Sequence, residues 1–186
     1  PIVTAFTATA TEVVREDVLK LLGLNNPYTY IGGFNRDNLK INVYKEEDKL
    51  EFVKDKIRDN EYEAGIVYCA TRKEVDQLYY YLKDLGYNVG KYHGGLKDEE
   101  KEYYQEEFLK ENINVMIATN AFGMGIDKSN VRYIIHFTMP KNIESYYQEI
   151  GRAGRDGEVG LCYLLYNRSD VRTLEYLIYT TASLNR

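Results

Sequence analysis

Four short runs, residues 64–69, 114–119, 131–137 and 161–166, are apolar at nearly every position, and longer amphipathic stretches separate them. A strand with one wet face alternates apolar and polar residues, whereas a strand covered on both faces is apolar throughout. Runs of this length and composition are expected to be strands of a parallel sheet. The stretches between them supply the crossover helices that a parallel sheet needs. The resulting β-α-β-α-β series predicts an α/β fold, a parallel β-sheet sandwiched between helices.

The same reading places the other elements. A helix is expected from Thr11 to about Leu22, with Val14, Val18, Leu21 and Leu22 on one face and Gly23 as its stop. Residues 28–31 and 39–44 read as extended. Residues 46–59 read as a helix with Leu50, Val53 and Ile57 facing inward. Thr71-Arg72-Lys73-Glu74 is a capping box that opens a helix over 71–86. A weak strand over 89–92 and helices over 97–110, 142–150 and 168–179 complete the chain, with Gly151 behind the 142–150 helix.

At 186 residues the chain suits one domain, with or without a small appendage. A domain of this size buries roughly 70% of its unfolded surface and needs no staple. Cys69 and Cys162 lie inside apolar runs and read as core thiols, not metal ligands or a disulfide. No stretch approaches the ~18 apolar residues of a membrane span. A reducing bacterial cytoplasm is the expected compartment. The start at Pro1-Ile2-Val3, without Met, reads as a start inside or beside a strand. Net charge is −5, but residues 46–63 and 97–111 each carry −4, so the remainder is +3. The two acidic runs read as solvated helix faces, and the rest is basic enough to permit phosphate contact.

In parallel sheets, working residues gather on the loops at the carboxyl ends of the strands. Ala70-Thr71-Arg72 follows the 64–69 run: a helix start with a hydroxyl and a guanidinium suits a phosphate, and equally suits a plain cap. His93-Gly94-Gly95 allows close backbone approach to a ligand, or a simple turn. Thr119-Asn120-Ala121-Phe122-Gly123-Met124-Gly125-Ile126-Asp127 combines two glycines with three polar groups, more than a purely structural loop requires. Strongest is Gln148-Glu149-Ile150-Gly151-Arg152-Ala153-Gly154-Arg155-Asp156-Gly157. Its two arginines, each preceded by glycine and three apart, share one open face and suit a polyphosphate. Two solvated surface arginines are the alternative.

These segments resemble the motifs of superfamily-two helicases in their RecQ form. Residues 148–157 resemble motif VI, and Ala118 to Lys128 resemble motif V. Tyr92-His93-Gly94-Gly95-Leu96 resembles the Tyr-His-Ala-Gly-Leu motif, and Val67-Tyr68-Cys69-Ala70-Thr71-Arg72 resembles motif IV. Phe34-Asn35-Arg36-Asp37-Asn38-Leu39 resembles the Phe-x-Arg-x-Asn-Leu signature of RecQ proteins. Thr7-Ala8-Thr9-Ala10-Thr11 resembles motif III. Six motifs in family order span nearly the whole chain.

The resemblance implies the second RecA-like domain of a P-loop NTPase-type motor, the helicase C-terminal domain. Residues 1–22 would be the tail of the first motor domain and a linker helix, and 23–186 the second motor domain. ATP, with Mg, would lie between the domains, held mainly by the first. Arg155 would be the arginine finger and Arg152 a second phosphate-side arginine. Gln148, Asp127 and Gly125 would face the nucleotide. Thr71, Arg72, His93, Gly94, Thr119 and Asn120 would grip the backbone of one strand of single-stranded or duplex DNA, with 3′ to 5′ polarity. The first RecA-like domain is the implied partner within the same protein.

The chain has no phosphate loop of the G-x-x-x-x-G-K-[ST] type and no acidic Walker B box, so these residues alone are expected not to hydrolyse ATP. Zinc is expected only in a downstream module. Gly95 stands where Ala is usual, and Lys101 where Arg is expected. The alternatives are the motor half of an RNA helicase and a non-catalytic scaffold. DEAD-box relatives usually carry His-Arg where this chain has Gln148-Glu149, and intact Arg152, Arg155 and Asp127 argue against a scaffold.

Overall fold

The computed structural model describes residues 2–7, 12–32, 35–45, 47–123 and 126–184. The expected cap Thr11, most of the Thr7 to Thr11 motif, Phe34 of the RecQ signature, the helix start at Glu46 and the site glycine Gly125 lie outside them. Two compact units divide between Arg36 and Asp37.

In the first unit, helix α1 (Glu12–Leu21) ends in a Schellman arrangement. Gly23, at φ +59°, donates to the Lys20 carbonyl, and the Leu24 N–H reaches Leu19. The expected apolar face is there, yet α1 has no buried residue, and Val14, Leu21 and Leu22 are exposed. Residues 28–31, expected to be extended, lie outside any helix or strand.

The second unit is the predicted sandwich. Strands β1 (Leu39–Lys45), β2 (Ala64–Tyr68), β3 (Val89–Tyr92), β4 (Val115–Ala118), β5 (Val131–His136) and β6 (Gly160–Tyr166) form one sheet in the order β1-β6-β5-β2-β4-β3. Every adjacent pair is parallel. Successive side chains divide between two cores. Val67, Val115, Ile117, Ile135 and Leu165 pack under α2 (Lys49–Asp59) and α3 (Arg72–Asp84). Ile66, Met116, Ile134 and Cys162 pack on the opposite face with Phe108 of α4 (Asp98–Leu109) and Ile150 of α5 (Ile143–Ile150). Cys69 and Cys162 are buried thiols, as the sequence implies. Most charges of α2 and α4 point to solvent, with Lys101 paired to Asp98 at 2.9 Å.

Two helices differ from expectation. α2 starts at Lys49 because Asp48 caps it, accepting from the N–H groups of Leu50 and Glu51. Its buried face turns toward Phe52, whose ring packs on Tyr44 and Tyr163, so Val53 and Ile57 are buried but Leu50 is exposed. Lys49 reaches across to Asp170 of α6 (Arg168–Leu184) at 2.7 Å and to the Phe137 carbonyl at 2.6 Å. α6 runs past the expected end at 179, since no glycine or proline interrupts 168–184.

The β2–β5 pairing contains a bulge: Ala64 faces Val131 and Gly65 faces Tyr133, leaving Arg132 as the extra residue. Gly65 accommodates the fully buried Tyr133, since a Cβ there would overlap the ring. Gly65→Ala is expected to lower stability by about 1–3 kcal/mol, as for other overpacked cores, read as a reduced urea midpoint at unchanged m value.

Candidate functional site

The predicted residues fall in two groups. The first lies at the carboxyl edge of the sheet. Thr71 caps α3 in a complete capping box: its hydroxyl accepts from Glu74 N–H at 3.2 Å, and Glu74 accepts from Thr71 N–H at 3.0 Å. The other Glu74 oxygen accepts from Thr138, beyond β5, at 3.2 Å. Arg72, exposed, lies over the two glycines after β3, its guanidinium 3.5 Å from where a Gly94 Cβ would be and 3.1 Å from that of Gly95. An alanine at Gly95 would crowd that guanidinium.

His93 is buried. Its Nδ1 accepts from Gly95 N–H at 3.1 Å, which leaves the proton on Nε2, 3.4 Å from Asp76. In this arrangement the ring shapes the loop, while Gly94 and Arg72 are the exposed groups. Asp76 also holds Lys91 at 2.6 Å. Thr119 is buried, its N–H donating to Tyr92, and Asn120 beside it is exposed. A cleft of about 60 Å³ opens at this edge between Asn120, Thr138, Lys141, Ser145 and Glu149. It is far smaller than the roughly 300 Å³ at which small-molecule pockets begin.

The second group departs from the carboxyl-edge expectation. The crossover from β4 to β5 contains no helix among its described residues and runs from the carboxyl edge back to the amino edge. Phe122 and Ile126 bury it against the sheet, and buried Lys128 ties its far end to Glu111 at 3.1 Å. The turn after α5 docks on this crossover. Arg152 Nη1 donates to the Gly123 carbonyl at 2.5 Å, and Arg155 Nη1 to the Ile126 carbonyl at 3.1 Å. Gly123 takes φ +126°, and a Cβ there would overlap the Arg152 guanidinium. Asp127 is 98% exposed and 3.8 Å from Arg155, a pair too open to hold that guanidinium. Gln148 is exposed on the same helix end.

Several supporting residues carry no sequence signal of their role. The Tyr68 hydroxyl donates to the Phe122 carbonyl at 3.2 Å. Burial raises its pKa well above the usual tyrosine value, against the pull of Arg152, so it stays a donor. His136 and Glu149 form a buried hydrogen bond of 2.8 Å that fixes α5 on β5. Asn38 and the bulge residue Arg132 hold the arginine turn from opposite sides. Asn38 donates to the carbonyls of Gly154 and Glu158, each at 2.8 Å. Arg132 makes a forked pair with Asp156 and donates to the Val159 carbonyl at 3.2 Å.

Residues 48–157 match the model of the helicase conserved C-terminal domain. Along 96% of the chain, 48% of residues are identical to the ATP-dependent DNA helicase RecQ of Bacillus subtilis, and 94% of the chain aligns at 42% identity with the RecQ-like DNA helicase BLM of Xenopus laevis. The chain belongs to the helicase C-terminal domains of the RecQ family. It spans 30% of the B. subtilis protein and 13% of the X. laevis one. Among solved structures, Saccharomyces cerevisiae Dbp5 bound to RNA and ADP BeF3 superposes with a TM-score of 0.76 at 25% identity, over 94% of this chain and 47% of that one. The RecQ-family domain thus has the RecA-like sheet, and Arg152 and Arg155 are docked on the crossover between β4 and β5.

The Arg132 hydrogen bonds hold the Asp156 carboxyl below the usual Asp range. A carboxylate depressed in the folded state stabilises the fold above its unfolded pKa of about 3.9, and that contribution is lost as pH falls through the lower folded value. Asp156→Asn should therefore lower the melting temperature at neutral pH. The gap to wild type should begin to close below about pH 3.9 and vanish under the folded pKa, in melts recorded across the acid range.

Proposed function

We propose that this domain is the second motor domain of an ATP-dependent DNA helicase of RecQ type, moving 3′ to 5′ along one strand. The observation that carries the reading is the docking of Arg152 and Arg155 on the backbone carbonyls of Gly123 and Ile126. Two permanently charged forks that rest on neutral carbonyls and an exposed carboxylate are poised to exchange those partners for phosphate oxygens. In the complete protein, ATP and Mg would be held mainly by the first RecA-like domain. Arg155 would reach across as the arginine finger, stabilising charge on the transferring phosphoryl group. Arg152 would hold a neighbouring phosphate. Gln148, Asp127 and Gly125 would complete the nucleotide side.

Thr71, Arg72, Gly94, Thr119 and Asn120 would meet the sugar-phosphate backbone at the carboxyl edge, with His93 shaping the loop beneath. Such contacts are independent of sequence and sensitive to salt. The likeness to Dbp5 bound to RNA keeps an RNA substrate as the second reading. The higher identity to proteins named as DNA helicases favours DNA. Zinc would belong to a downstream module, and a bacterial, nucleoid-associated cytoplasmic location fits the reading.

Strand separation by the full-length protein tests the substrate: it should unwind 3′-tailed DNA duplexes and leave the matching RNA duplexes paired, and the reverse preference would replace this reading with the RNA one. Arg155→Ala in the same protein should reduce DNA-stimulated ATP turnover by about 10³-fold or more while ATP binding persists. Wild-type turnover in that variant would remove the finger assignment.

A further inference from the structure

We propose that Asn38 is a positioning residue for Arg155, a role that rests on the arginine-finger reading above. Arg155 sits in a turn without regular structure, between the end of α5 and the start of β6. The turn's carbonyls at Gly154, next to Arg155, and at Glu158, three residues on, both accept from the one amide nitrogen of Asn38, each at 2.8 Å. A primary amide is suited to this task because it carries two hydrogens on one planar nitrogen; a hydroxyl has one, and a carboxylate has none. Gly154 matches the arrangement. It takes φ +56°, and a Cβ there would overlap the Glu158 carbonyl and lie 2.5 Å from the Asn38 nitrogen.

The turn is held from two sides. On the β5 side, Gly154 N–H donates to Val131, Asp156 N–H donates to Ser129, and Arg132 grips the Asp156 carboxylate. On the β1 side, the side-chain clamp comes from Asn38. Losing it removes two hydrogen bonds from that side of the turn and lets the backbone that carries Arg155 shift. A mere staple of β1 to the sheet is the competing role. However, β1 is already laddered to β6 over the register from Leu39↔Gly160 to Lys45↔Tyr166, and Gly160 N–H donates to the Asn38 carbonyl, a bond that survives any side-chain change. The side-chain amide therefore acts on the turn more than on the strand. This gives the asparagine of the Phe-x-Arg-x-Asn-Leu signature a physical task.

The test compares Asn38→Ala, Asn38→Asp, Arg155→Ala and the Asn38→Ala/Arg155→Ala double variant in the full-length protein. The readouts are kcat for DNA-stimulated ATP hydrolysis, KM for ATP, the Kd for single-stranded DNA and the melting temperature. A misplaced reacting group costs about 10- to 100-fold, so Asn38→Ala should lower kcat by that factor while KM and Kd stay within about twofold. Asn38→Asp, the same shape without donors, should do the same and serves where the alanine variant is poorly soluble. In the Arg155→Ala background, loss of Asn38 should cost nothing further, because residues acting as a unit are not additive. The proposal is overturned by wild-type kcat in both Asn38 variants, by an undiminished further loss in the double variant, or by failure of both Asn38 variants to fold. If Arg155→Ala alone keeps wild-type turnover, the finger reading has failed and this role falls with it, an outcome distinguishable from failure of the Asn38 role alone.

Discussion

Both faces of the sheet's central strands are buried, and that constraint governs where most polar groups of the second unit can be. Val67, Val115, Ile117 and Ile135 look into one core and Ile66, Met116 and Ile134 into the other, so the interior positions of the central strands have no open face on which to present chemistry. Charged and hydrogen-bonding groups must emerge from strand ends, helix caps and connections. The carboxyl-edge group obeys this directly. The arginine group obeys it less obviously, on a turn that would be loose without the polar clamps supplied by Asn38 and Arg132.

The β-bulge shows how a packing detail becomes a functional one. Gly65 leaves room for Tyr133, the register shifts by one residue, and Arg132 is left over. A side chain that regular pairing would direct elsewhere instead meets Asp156, Val159 and Ser129, on both sides of the arginine turn. Bulges commonly re-aim a side chain in this way. The support of Arg155 is thus written partly into the pairing of two core strands.

What the sequence made legible follows the same division. Strand positions and the two-sided sheet were readable because continuous apolar runs have few other solutions, and the α3 cap because Thr71 and Glu74 have the spacing of a capping box. Leu50 misled because helical spacing leaves open which way a face is rotated, and Phe52 decided that through its contacts with Tyr44 and Tyr163. The turn that carries Arg152 and Arg155 stood out in the sequence by its glycine-flanked spacing. Their supports were not: Asn38 lies 116 residues from Gly154, and Arg132 lies 24 from Asp156, so no local pattern announces either contact. Nor did the strand-end rule foresee a crossover that runs down one face of the sheet and receives Arg152 and Arg155.

That crossover is the segment that joins the two groups. Thr119 and Asn120 begin it at the carboxyl edge, and the Gly123 and Ile126 carbonyls that receive Arg152 and Arg155 lie further along it. Its buried anchors, Phe122, Ile126 and Lys128, leave it little room to move as a whole. In the proposed motor, a phosphate drawing the guanidinium groups away would free two carbonyls on the same segment that carries the strand-gripping residues. Each bond lost is worth about 1 kcal/mol on its own, within the 1–3 kcal/mol typical of coupling between sites. A short connection with polar groups at both ends and hydrophobic pins along its length therefore suffices, in principle, for nucleotide and nucleic acid to sense each other without any change in the sheet.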